Sequence, residues 1–148
     1  MLRSLSHSLP IQLLAVHDLV MRYFRPMLNR FDMTDQQWRV LRVIAAEGEA
    51  DFRVIAETCL IHPASLSRML ETLEARGWVT RRTHPNDRRQ RLIKLAPEGQ
   101  SIFDRASAET ETIHRALEAD LGASHGSLVR LLGDAKTKLA AQSVEPAE

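Results

Sequence analysis

Residues 52–95 read FRVIAETCLIHPASLSRMLETLEARGWVTRRTHPNDRRQRLIKL, and this stretch decides the fold. Pro63 is tolerated in a first helical turn and Gly77 suits the left-handed residue after a last turn, so a helix is expected between them. Leu66, Met69, Leu70 and Leu73 recur there at helical spacing and define a face that must be buried. Ser65, Ser67, Arg68, Glu71 and Thr72 are left to look outward or sideways. A shorter helix containing Phe52, Val54, Ile55 and Ala56 precedes it, with Asp51 placed to cap it. After Gly77, residues 78–82 and 91–95 have strand length, and His84-Pro85-Asn86-Asp87 between them is turn chemistry. Two helices followed by a hairpin with a charged tip make a winged helix-turn-helix, mainly α with a small β-hairpin wing. In that motif the first helix crosses the DNA backbone and the second enters the major groove.

Charge agrees once the chain is divided. Residues 1–61 balance seven Lys/Arg against seven Asp/Glu. Residues 62–94 carry eight cations (Arg68, Arg76, Arg81, Arg82, Arg88, Arg89, Arg91, Lys94) against Glu71, Glu74 and Asp87, and the remainder is acidic. A chain of formal net charge +1 therefore hides one basic module, the electrostatic footprint of a duplex binder.

Three groups of residues resemble MarR-type transcriptional regulators: Ala64-Ser65-Leu66-Ser67-Arg68-Met69-Leu70, Leu73-Glu74 with Gly77-Trp78-Val79, and Asn86-Asp87-Arg88-Arg89 followed by Leu95 and Gly99. The resemblance runs from about residue 9 to about residue 140. Tyr23-Phe24-Arg25-Pro26 and Thr34-Asp35-Gln36-Gln37-Trp38-Arg39 resemble, more narrowly, regulators of homoprotocatechuate (aromatic acid) degradation. It implies one subunit over residues 1–148, with a DNA-binding lobe at 34–95 and dimerisation helices at 5–30 and 97–142. It maps DNA contact onto Ser65, Ser67 and Arg68, with His62 and Pro63 at the helix entrance beside the phosphates. A serine near a helix start is also often only a cap, and Arg68 can instead hold a carboxylate of the wing. In the wing, Arg88 and Arg89 fit a cationic finger for the minor groove, whose potential is most negative where it is narrow. Asp87 is expected to fix Arg89 or Arg68. Arg82, with Arg81, Arg91 and Lys94, is expected along the strands as a phosphate contact or as sheet surface.

Upstream, residues 9–25 read as a helix with Leu13, Val16, Val20, Phe24 and Met27 in one stripe and Leu14, His17, Met21 and Leu28 on its shoulder. Pro26 is expected to kink or end it. His17, Met21 and Phe24 share a face, which is either core packing or the wall of a ligand site. Thr34 and Gln37 form a capping box for a helix running to about Ala46, with Trp38, Leu41, Val43, Ile44 and Ala45 buried and Arg39 and Arg42 opposite. Asp35 can pair with Arg39 on the surface. The resemblance places an effector pocket between the first two helices and the DNA-binding lobe. There Arg39 could hold a carboxylate through two parallel hydrogen bonds, with Arg42 and Met21 nearby and Trp38, His17 and Phe24 around a ring. Replacing Arg39 by Met is then expected to abolish effector response and spare DNA binding.

Downstream, Ala96-Pro97-Glu98-Gly99 opens another helix, and alanine where the family usually has threonine loses a cap worth about 1 kcal/mol. Ile102, Phe103, Ala106, Ile113, Leu117 and Leu121 continue it, and residues 122–124 break it. Ser124 is expected to cap a last helix striped by Leu128, Leu131, Leu132, Ala135 and Leu139, before a polar tail at residues 143–148. The terminal helices carry more apolar face than so small a lobe can cover. A homodimer resolves this, setting two recognition helices about one DNA turn apart on a pseudo-palindromic operator.

No apolar run approaches the roughly 20 residues that span a bilayer, and no signal-peptide core occurs, so a cytoplasmic protein without membrane contact is expected. Cys59 is the only cysteine, which rules out an internal disulfide and suggests a small buried side chain, a redox role being the alternative. The six histidines are scattered, no phosphate-binding loop or nucleophile elbow occurs, and Cys59 with His62 supplies only half a zinc site. No enzyme activity, metal or cofactor is expected. Two readings remain: a repressor released by a small aromatic carboxylate, or a constitutive, architectural DNA-binding protein without a ligand.

Overall fold

A computed structural model describes residues 7–142. The expected tail at 143–148, and residues 5 and 6 of the expected first dimerisation helix, lie outside the described residues. The elements run α1 (Leu9–Arg30), α2 (Asp35–Glu47), β1 (Ala50–Asp51), α3 (Phe52–Cys59), α4 (Pro63–Ala75), β2 (Val79–His84), β3 (Asp87–Leu95), α5 (Pro97–Leu121) and α6 (Ser124–Ala140). The chain forms two compact units that meet in sequence at Glu111 and Thr112, within α5.

In the first unit, of the kink or end expected at Pro26 the end does not occur, and α1 continues to Arg30. Pro26 lies on the solvent side, where the carbonyl it leaves unbonded faces water, while Phe24, Met27 and Leu28 around it are buried and hold the helix in place. Thr34 caps α2 as expected: its Oγ1 accepts the Gln37 N–H at 3.1 Å and the Gln37 Oε1 accepts the Thr34 N–H at 2.9 Å. The buried side of α2 is Trp38, Val40, Leu41 and Ile44, so Val40 takes a place expected of Val43 and Ala45, which are only half-buried. Asp51 caps α3, its Oδ1 accepting the Arg53 N–H at 2.8 Å.

Helix α4 buries Leu66, Leu70 and Leu73 completely, against a core that includes Leu41, Ile44, Ile55 and Ile93; Met69 is half-buried. It ends in paired reverse hydrogen bonds, Gly77 N–H to Glu74 O (2.9 Å) and Trp78 N–H to Leu73 O (2.9 Å), with Gly77 at φ 71°. Leu73 and Trp78, the residues that this second bond joins, are both buried. Helix α3 ends in the same pattern, Leu60 N–H to Glu57 O and Ile61 N–H to Ala56 O, but a leucine occupies the left-handed position at φ 54°.

The sheet has the order β1-β3-β2, antiparallel throughout, with Val79 opposite Leu95, Arg81 opposite Ile93 and Ala50 opposite Ile93 on the other side. Both wing strands run further toward the tip than residues 78–82 and 91–95, so only Pro85 and Asn86 turn the chain. Side chains hold that tight tip: His84 Nδ1 accepts the Asn86 N–H (3.1 Å) and Asp87 Oδ1 accepts the Arg89 N–H (2.9 Å). The two-residue β1 was not legible in the sequence.

Helix α5 begins under Trp78, whose carbonyl accepts the Ala96 N–H at 2.9 Å. Gly99 lies so close that a Cβ there would stand 1.8 Å from the Trp78 oxygen. Trp38 stacks on Phe103, ring centroids 5.4 Å apart. In the second unit, Gly122 adopts φ 54° between the helices and α6 follows. Ser124 is the first residue of α6 and not its cap. Ala123 holds the cap position in helical geometry, with a methyl that can accept no bond, and the His125 N–H goes to the Gly122 carbonyl at 3.1 Å. None of the apolar stripe of α6 is buried. Among the described residues no helix is long and apolar enough to cross a membrane.

Gly99→Ala forces the first turn of α5 away from the Trp78 backbone and is expected to lower stability by about 3 kcal/mol in urea unfolding. Gly133→Ala, in the exposed middle of α6 with nothing within 4 Å, is expected instead to raise it by roughly 0.5 to 1 kcal/mol.

Candidate nucleic-acid interface and ligand cavity

Burying Leu66, Leu70 and Leu73 turns the opposite side of α4 outward, where Ser65, Arg68, Glu71 and Thr72 are exposed and Ser67 is half-buried. His62 and Pro63 are exposed at the start of the helix. Neither serine caps it: His62 Nδ1 accepts the Ala64 N–H at 3.2 Å. That leaves the serine hydroxyls unspent by the helix itself.

The eight cations of the basic segment divide into two sets. Arg76 donates to the Asp32 carbonyl (2.7 Å), pairs with the Asp32 carboxylate (3.4 Å) and lies 3.7 Å over the Trp78 ring, a wholly structural role. Arg81 holds Glu74, and Arg82 forks onto both oxygens of Glu49 at 2.7 and 2.6 Å. Arg91 donates to Thr83 Oγ1 at 3.3 Å. Arg68, Arg88, Arg89 and, on β3, Lys94 are exposed, and none of them forms an ion pair among the described residues. Asp87 was expected to fix the guanidinium of Arg89 or Arg68. Its carboxylate instead takes the Arg89 backbone N–H, because the tight tip brings that amide within 2.9 Å.

Hydrogen bonds from Arg82 hold the Glu49 carboxyl below the usual glutamate range, and those from Arg81 do the same for Glu74. Arg82 is raised in turn by Glu49. The sign follows: the pairs persist above the ordinary glutamate range and are lost as pH falls through the lowered values. Sequence reasoning missed both glutamates, since Glu49 lies 33 residues from Arg82 and the intervening strand pairing was needed to see it. It also missed Arg53, which lines a concavity of about 440 Å³ with Asp87, Arg89 and Arg91.

The six expected effector residues are not brought to one place. His17 and Met21 line a cavity of about 370 Å³ between α1 and α2, together with Arg25 and Asp35. Phe24 and Trp38 are buried in the core, and Trp38 stacks on Phe103. Arg39 and Arg42 line a separate cavity of about 300 Å³ between α2 and α3, with Val43, Glu47, Thr58 and Cys59. Arg39 Nη1 donates to the Cys59 carbonyl at 2.8 Å, and its Nη2 stands 3.7 Å from Asp35. Arg39 Nε is buried without an acceptor. Burial pushes the Cys59 thiol up, with the Arg39 charge pulling the other way, which leaves little nucleophilic thiolate at neutral pH. Among the described residues no cluster of three or more His, Cys, Asp or Glu is placed to hold a metal.

The chain is similar to several known proteins. The profile described as MarR family matches residues 31–90. The homoprotocatechuate degradative operon repressor of Escherichia coli is 38% identical over 117 residues, 78% of either chain. The crystal structure of NadR in complex with 4-hydroxyphenylacetate superposes with a TM-score of 0.77 at 34% identity, covering 98% of this chain and 99% of that one. The transcriptional repressor CouR bound to a 23-mer DNA duplex superposes with a TM-score of 0.81 at 27% identity, covering 92% and 99%.

Glu49→Gln frees Arg82 for a phosphate. Operator affinity is expected to rise, and the slope of log affinity against log salt to steepen by about 0.9, in anisotropy titrations over a salt series.

Proposed function

The chain belongs to the MarR family of DNA-binding transcriptional regulators, and we propose that it is a cytoplasmic homodimeric repressor released from a pseudo-palindromic operator by a small aromatic carboxylate. The observation that carries this reading is one lobe that offers a polar, unspent helix face with two unpaired wing arginines, and, behind the same helix pair, a cavity bordered by two more arginines.

Ser65, Ser67 and Arg68 read base edges in the major groove, His62 and Pro63 meet the adjoining phosphates, and Arg88 and Arg89 enter the minor groove. Asp87 shapes the wing tip and so aims both arginines. Arg82 contributes a phosphate contact only when Glu49 releases it. The effector's carboxylate goes to Arg39 and Arg42. The α1–α2 cavity suits an anion less well, since its Arg25 is already held by Asp18 and Asp35 adds a like charge. His17 and Met21 belong to that other cavity.

Dimerisation follows from apolar surface. Leu9, Leu14 and Leu19 on α1 are more than half exposed, as are Val129, Leu131 and Leu139 on α6, and a second chain covers them. The relatives support this assignment of function: one is by name an operon repressor for homoprotocatechuate breakdown, and another was crystallised with 4-hydroxyphenylacetate.

The test is a fluorescence-anisotropy titration against the DNA upstream of the gene, at fixed salt, with and without 4-hydroxyphenylacetate and benzoates. Specific binding weakened at least tenfold by one of these acids is expected. Binding that no acid reverses removes the effector part, and binding without sequence preference removes the operator. Arg88→Ala is expected to weaken binding to every sequence and flatten the salt slope by about 0.9, whereas Ser67→Ala is expected to change preference among operators by about 1 to 3 kcal/mol at one base pair.

A further inference from the structure

The C-terminus of α3 is where the supporting helix hands over to the recognition helix, and it is an expensive turn. Leu60 holds a left-handed conformation at φ 54° with its side chain 85% exposed, so no packing of its own secures it. The backbone bonds of Leu60 and Ile61 satisfy the carbonyls of Glu57 and Ala56. The Cys59 carbonyl, on the last residue of the helix, is satisfied by a side chain from another element, the Arg39 guanidinium at 2.8 Å. A cation at a helix C-terminus also complements the negative end of the dipole. Arg39 is therefore the cap that stitches α2 to the strained turn.

The same guanidinium borders the α2–α3 cavity, where Arg42 adds a second positive charge and Val43 and Ala46 supply an apolar wall. Its hold is incomplete, with Nε lacking any acceptor and the Asp35 carboxylate 3.7 Å away. A carboxylate in the cavity offers Arg39 a bidentate, charge-assisted alternative to one neutral carbonyl.

We infer that Arg39 is a positioning residue that switches between capping α3 and binding the carboxylate of a ligand in the α2–α3 cavity, and that this exchange frees the Leu60 turn and releases the recognition helix from its operator geometry. The inference rests on the effector reading above and specifies how that site is coupled to DNA. No atom moves far. Turning the guanidinium toward the cavity leaves the Cys59 carbonyl unpaired and the left-handed Leu60 held by the Leu60 and Ile61 backbone bonds alone, and Pro63, three residues on, begins α4. It also revises the expectation that Arg39→Met spares DNA binding, because the variant loses the cap together with the ligand's counter-ion.

Amide hydrogen exchange on the full chain, with 4-hydroxyphenylacetate as probe, tests the exchange directly, alongside operator anisotropy of wild type, Arg39→Met and Arg42→Met. In wild type the ligand is expected to speed exchange at Leu60 and Ile61 at least fivefold while leaving Gly77 and Trp78, at the far end of α4, unmoved. Arg39→Met is expected to bind operator at least fivefold more weakly without ligand and to show no further loss with it. Arg42→Met is expected to lose part of the response to ligand. Ligand binding and release with Leu60 and Ile61 unmoved overturns the switch while the effector reading stands, as does an Arg39→Met protein of wild-type operator affinity. A wild type that neither binds nor responds to any aromatic acid overturns both.

Discussion

The backbone of Trp78 is the constraint on which the rest of the first unit depends. Its N–H closes the reverse bond to Leu73 that stops α4, its carbonyl receives Ala96 at the start of α5, and Gly99 presses against that carbonyl where no side chain fits. Its ring packs inward beneath the Arg76 guanidinium, which reaches back to the turn between α1 and α2. One residue thus fixes the end of the recognition helix, the origin of the wing and the entry of the long helix. The relative placement of helix and wing, which a DNA duplex reads as a rigid template, follows from that junction and from the buried Leu66, Leu70 and Leu73 behind it.

Charge in the lobe is apportioned with comparable economy. A count of cations suggests a uniformly basic surface, yet Arg76, Arg81 and Arg82 are each engaged by a carbonyl or carboxylate. Exposed pairs of this kind add little stability on their own. Their effect is selective: they hold strand arginines along the sheet and leave Arg68, Arg88 and Arg89 as the cations presented at the helix face and wing tip. In the proposed mode of binding, this concentrates electrostatic attraction where the helix face and wing tip meet the grooves, and a DNA partner that recruits Arg82 must first displace Glu49.

Much of the lobe was legible because its signals are local. Pro63 and Gly77 bracket α4 within a residue or two, Thr34 with Gln37 marks the start of α2, and the Leu66-Leu70-Leu73 spacing names the buried face. What escaped was set by packing and backbone partners that residue type and spacing do not name. Pro26 does not end α1, because Phe24, Met27 and Leu28 are anchored in the core on either side of it. Two-residue β1 exists only by pairing with Leu92 and Ile93, and Ser124 yields its expected cap position to a turn closed by Gly122. For the ligand residues, helix faces name His17, Met21, Arg39 and Arg42 but do not show that two cavities divide them or that Trp38 has a stacking partner in α5. The Arg39 bond to a carbonyl twenty residues away leaves no trace in composition or periodicity.

Taken together, the lobe works as a DNA reader because packing commits some arginines to structure and leaves others free. Arginine Nε–Hε correlation spectra recorded during titration with operator duplex test this most directly. The expected result is that the Arg68, Arg88 and Arg89 signals shift and slow their exchange with water, while those of Arg76 and Arg81 hold still. Large shifts at Arg76 and Arg81 with Arg68, Arg88 and Arg89 unmoved would contradict the division and place the duplex on a different face of the lobe.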